Sequence, residues 1–164
     1  MQESSVSAEQ KLADALACNQ ATLDALDFGI LVVNEKGRVT QWNAAFRSLF
    51  RLDGERLDDI SHEDALARIS RNVTQPNAFA AEATNIQVAG HPESQNEFTL
   101  ISGETIEQAS RLRTRDGKRA GRVWTFRNVS QQREVEERAR IVEHQAARST
   151  AALWAYTCTT CRTR

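Results

Sequence analysis

The sequence predicts an α+β domain: a five-stranded antiparallel sheet with a central helical insert, flanked by N- and C-terminal helices. Three observations predict it. Apolar, β-branched runs punctuated by glycine turns fall into two groups, around 30–42 and 96–129, with a polar, helix-compatible stretch between them. Both ends of the chain carry helix formers at three- and four-residue apolar spacing, without internal Gly or Pro. A length of 164 residues and a mass of 18.4 kDa suit one domain and leave little room for a separate catalytic one.

Residues 1–25 read as an N-terminal helix. Leu12, Leu16, Asn19, Leu23 and Leu26 follow one another at heptad spacing, a seam with a single polar residue of the kind that fixes coiled-coil register. Leu12, Leu16, Asn19 and Leu23 are thus expected to form a homodimer interface. A single amphipathic helix laid on its own domain fits two heptads equally well.

The run from Phe28 to Asn34, the loop Glu35-Lys36-Gly37 and the run from Arg38 to Trp42 form a hairpin whose last loop residue needs positive φ. Asn43 caps the helix that follows, a role worth about 1 kcal/mol over Ala, and Phe46, Leu49 and Phe50 share one face of it. Ser61 with Asp64 opens a helix over Ser61–Arg71 with Leu66 and Ile69 on its apolar side. Pro76 starts another, carrying Phe79, Ala83 and Ile86 and ending before Gly90 and Pro92. Strands over Asn96–Ile101, Glu104–Thr114 and Gly121–Val129, joined by Ser102-Gly103 and Asp116-Gly117, make a meander. Residues 131–148 are a charged helix with Val135, Ala139, Val142 and Ala146 on one stripe, either solvated or paired in a dimer. Residues 149–164 share neither its charge nor its period.

A net charge of −1, from 21 basic and 22 acidic residues, offers no global pull toward nucleic acid or anionic lipid. No signal-peptide pattern or membrane-length apolar run is present, which points to the cytoplasm and to no membrane partner. Cys18, Cys158 and Cys161 are too few and too odd in number for a disulfide framework. Cys158-Thr-Thr-Cys161 lacks two further metal ligands and a thioredoxin-like setting, so no metal site is expected. No P-loop, kinase ATP motif or cyclase loop occurs. The chain is expected to be no enzyme, with no catalytic residues.

Residues Leu26 to Phe46, with their strand, glycine hairpin and Trp42-Asn43 ending, together with Gly121 to Ser130 at the back, resemble a PAS domain. The resemblance covers about Ala21 to Arg140, with residues 26–130 as the sensory domain itself. It implies a bacterial sensory module of the kind preceding histidine-kinase or diguanylate-cyclase domains, which binds a small ligand, a cofactor or only a second copy. Pocket candidates are Trp42, Leu66, Ile69, Phe79, Trp124 and Phe126, with Arg111 or Arg113 closing over a carboxylate. A core filled by these aromatics is the alternative.

The family closes its last strand with Asp-Ile/Val-Thr, and here Asn128-Val129-Ser130 stands instead, expected to carry the signal into the outgoing helix with weaker or retuned coupling. Absence of any cofactor is the leading expectation, with haem or FAD as alternatives. His62 and His91 are the histidines that offer an axial ligand, and His62 otherwise reads as a surface helix residue. No cysteine lies between Cys18 and Cys158, so covalent flavin photochemistry inside the core is excluded. The output domain is missing, and the chain reads as the N-terminal part of a longer protein with a non-native tail after about residue 147.

Overall fold

The computed structural model describes residues 2–160, with side chains from 8 to 157. Helix α1 (Gln2–Asp24) leads into the hairpin β1 (Gly29–Asn34) and β2 (Val39–Trp42). The insert follows as α2 (Ala44–Leu49), α3 (His62–Ser70) and α4 (Pro76–Ala89), and the meander as β3 (Glu93–Thr99), β4 (Thr105–Arg115) and β5 (Lys118–Asn128). All strand pairs are antiparallel, in the order β2-β1-β5-β4-β3. The first and last strands of the domain therefore lie side by side at the sheet centre, and β2 and β3 are its edges.

Local chemistry explains the element ends. Gly37 takes φ 73° in the first hairpin, where a Cβ would be strained. Asn43 and Ser61 cap α2 and α3 through side-chain oxygens that accept from the backbone N–H three residues on. Pro76 occupies the first turn of α4, where its missing N–H costs nothing. At Gly121, φ is 124° and a Cβ would stand 2.1 Å from the Val33 carbonyl oxygen, so only glycine lets β5 approach β1 this closely.

The core lies between the inner sheet face and the insert. Phe46 of α2 and Phe50 at its C-cap pack on Phe126 of β5 with ring centroids 5.5 and 5.1 Å away, joined by Leu31, Val33, Ile69 and Ile106. Burying each such side chain contributes about 1.5–3 kcal/mol.

Two boundaries differ from expectation. Strand β3 begins at Glu93, not Asn96, because pairing with β4 from Arg111 onward orders polar residues that lack intrinsic β preference. The second compact unit, from Val129 onward, holds α5 (Ser130–Thr160), which runs through the segment set apart at 149. Ala and Leu without Gly or Pro sustain helix even where charge and period change. Within α5, Arg133–Glu136, Arg138–Glu134 and Arg140–Glu137 form exposed ion pairs, and Val135 and Val142 are exposed. Cys161 lies outside the described residues. Among the described residues no helix is long and apolar enough to cross a membrane, and no group of three acidic, His or Cys residues is placed to hold a metal.

Candidate functional site

Alternation along the strands decides which residues face the insert. On β4 these are Ile106, Gln108 and Ser110, and on β5 Arg122, Trp124 and Phe126. Cross-strand registry sets Asn96 opposite Gln108 and Gln108 opposite Phe126, and in the next row Ser94 opposite Ser110 and Ser110 opposite Trp124. The β3–β4 half of the inner face is thus polar at four positions where packing alone favours apolar residues.

Helix α4 roofs this half. Its N-terminal part and strands β3 and β4 flank a half-open cavity of about 220 Å³, lined by Phe79, Ala83, Asn96, Phe98 and Gln108 together with the exposed residues Gln75, Glu82 and Glu97. Gln108 is only 3% exposed, and it lies in the lining together with Asn96. The Phe79 and Phe98 rings, 4.7 Å apart and tilted by 57°, form an aromatic wall. No Lys, Arg or His lines the cavity.

The other end of α4 is held by arginine. Arg122 is fully buried, and its Nη1 donates to Ser110 Oγ at 2.7 Å, while Nη2 donates to the His91 and Ile86 carbonyls. Arg119 Nη2 donates to the Gln87 carbonyl at 2.6 Å. Two cations thereby meet the carbonyl end of α4, where the helix dipole favours positive charge. Burial and the neighbouring Arg119 hold the Arg122 pKa below its usual value. Its guanidinium lies 5.7 Å from the Trp124 ring centroid, and His62 stacks on Trp124 at 5.3 Å.

His62 is buried, which corrects the expectation of a surface residue. Burial and the Arg122 charge lower its pKa from 6.5 to about 4, and its position in the first turn of α3 works in the same direction. It is neutral at physiological pH.

A third polar centre is Asn43, fully buried. Its Oδ1 accepts from the backbone N–H of Ile30 and of Phe46, and its Nδ2 donates to the Leu23 and Phe28 carbonyls, each at 2.8–3.0 Å. One side chain thus joins the end of α1, the start of β1 and the cap of α2. Asp24 Oδ1 accepts from Ala44 N at 2.7 Å and Gln20 donates to the Trp42 carbonyl, completing the attachment of α1.

Of the residues singled out in the sequence, Phe79 borders the cavity. Leu66, Ile69, Trp124 and Phe126 are buried in the core, and Trp42 lies half-buried beneath Arg47, away from it. Arg111 and Arg113 are exposed on the opposite sheet face, with Arg111 paired to Glu93 at 2.9 Å, because they occupy the outward parity of β4. Asn128 donates to Glu104 Oε1 at 2.8 Å, so a neighbouring carboxylate engages the last residue of β5. Leu12 and Leu16 are exposed on α1, as is Asn19, and Leu23 is half-buried. The cavity offers haem no axial histidine. Neither His62 nor His91 lines it.

A curved antiparallel sheet in this strand order, cupped by a three-helix insert and left through its central strand, is the architecture of PAS sensory domains in signalling proteins. A profile of the PAS fold matches residues 19–129, more than half of the chain, and the chain belongs to this family. Among solved structures it is similar to the PAS domain of Bordetella pertussis BvgS, with TM-score 0.55 and 13% identity over 80% of this chain and 98% of that one. It is also similar to phage VqmA, solved as a complex with DPO, with TM-score 0.56 and 13% identity over 82% of this chain and 62% of that one. A third, the sensor region of a sensor histidine kinase, gives TM-score 0.51 and 18% identity over 64% of this chain and 40% of that one. The chain thus spans less than half of that kinase region. No curated protein matches the sequence.

Proposed function

We propose that this PAS domain is a cytoplasmic, non-catalytic sensor that binds a small molecule between α4 and the β3–β4 face and acts as a homodimer. Its output is a downstream signalling domain of histidine-kinase or diguanylate-cyclase type. One observation carries the reading: two side-chain amides of the sheet, Asn96 and the deeply buried Gln108, line a cavity in a layer that a purely structural domain fills with apolar side chains. The phage VqmA structure, similar in fold and solved as a complex with DPO, supports it.

The transmission route follows the covalent chain. Gln108 pairs with Phe126 on β5, and β5 ends at Asn128, one residue before Val129 and two before Ser130 opens α5. Arg122 and Arg119 tie the roof helix to the same strand. An occupant that repositions α4 therefore acts on β5 directly, and a coupling of about 1–3 kcal/mol suffices for regulation.

Two experiments test the reading. Ala83→Phe fills the cavity; a compound that stabilises the wild type by about 2.7 kcal/mol at 100 times its dissociation constant is expected to lose that effect in the variant. Equal stabilisation of both proteins counts against the cavity. Light scattering on the full chain is expected to give a dimer mass that falls to a monomer in the Leu12→Lys, Leu16→Lys double variant, and a wild-type monomer removes the dimer.

A further inference from the structure

Resting on that sensory reading, we propose that the cavity selects an uncharged, planar ligand carrying an adjacent hydrogen-bond donor and acceptor, such as a primary amide or lactam, read jointly by Asn96 and Gln108. The two residues are direct cross-strand partners on one sheet face, which puts their Cβ atoms about 5 Å apart. Each amide offers both N–H donors and a carbonyl acceptor. A group that itself donates and accepts in one plane satisfies both side chains at once.

Charge selection follows from what lines the space. An anion entering it meets no Lys, Arg or His, so its lost hydration is not replaced. Arg122 stands at the opposite end of α4 with its terminal nitrogens engaged by Ser110 and two backbone carbonyls. A cation finds the carboxylates of Glu82 and Glu97, both on exposed residues, where water screens their attraction. Phe79 and Phe98 offer ring faces and edges to a flat body. Sites built to hydrogen-bond a substrate group discriminate strongly against analogues that lack it, because the buried polar groups are then left unpaired.

The test uses three monosubstituted benzenes of similar size and different charge: benzamide, benzoate and benzylamine. Each is titrated into the full chain to about 10 mM, the range suited to fragments of this size, while the side-chain NH₂ signals of Asn96 and Gln108 are followed by NMR. The expected result is saturable movement of both signals with benzamide, at an affinity at least about tenfold tighter than for either charged probe. Gln108→Leu is expected to weaken benzamide about tenfold without lowering the urea midpoint, since it replaces a pocket-lining polar group by an apolar one of similar size. Tighter binding of benzoate or benzylamine at the same signals overturns the selectivity and leaves ligand sensing standing. So does unchanged benzamide affinity in Gln108→Leu. No movement of either signal with any probe overturns both the selectivity and the ligand-binding reading.

Discussion

Lowering the pH from 8 to 5 protonates His62 in the unfolded chain while the fold keeps it largely neutral. His62 is packed on Trp124 near the Arg122 guanidinium, and its pKa falls from 6.5 in the unfolded chain to about 4 in the native one. The unfolded state therefore binds the proton first. Stability from this residue is complete above pH 6.5, declines as the pH falls from 6.5 to 4, and levels off below that. At about 1.4 kcal/mol per pKa unit, the loss is about 2 kcal/mol at pH 5 and about 3 kcal/mol below pH 4. Urea denaturation monitored by circular dichroism reads it as a midpoint about 1 M lower at pH 5 than at pH 8. His62→Phe keeps an aromatic ring on Trp124 and removes the titration, so its pH dependence should be shallower by about 2 kcal/mol over the same range. An identical slope in the variant, or a His62 resonance titrating near 6.5, refutes the reasoning.

Three further substitutions probe the other polar centres. Arg122→Met removes the smaller of the two causes that depress His62, so the His62 pKa should rise while staying below 6.5, and amide exchange at the C-terminal turn of α4 should accelerate with a stability loss of about 2 kcal/mol; NMR titration and hydrogen exchange measure both. Asn43→Ala leaves two backbone donors and two carbonyls without their side-chain partner, and chemical denaturation should show a loss of about 3 kcal/mol or more. Gly121→Ala drives a Cβ into the Val33 carbonyl and should cost about 4 kcal/mol or prevent folding, as read by circular dichroism.

The elements that local chemistry determines were legible in the sequence. Gly37, Asn43, Ser61 and Pro76 each do one local job that residue type reveals, and the strand–insert–meander order followed from them. The cavity was less legible. Its floor is set by the parity of β4, and the apolar residues there, Ile106, Ala109 and Leu112, do not alternate, so the pattern does not say which side of the strand faces in. The arginines at 111 and 113 drew attention on chemistry, yet they share the outward parity, while Gln108 and Ser110 turn inward. His62 was read as a surface residue because its stacking partner is far away in sequence and only tertiary structure brings Trp124 to it. Arg122 gave no local signal, since its acceptors belong to the end of α4 and to the neighbouring strand.

The central claim is that a small molecule occupies the space under α4 and is felt along β5. The most direct measurement is backbone amide NMR of the full chain during a fragment screen. The account predicts shifts that begin at Phe79, Ala83, Asn96 and Gln108 and extend through Phe126 to Asn128. Shifts confined to the opposite sheet face, at Ala109, Val123 and Thr125, would contradict it.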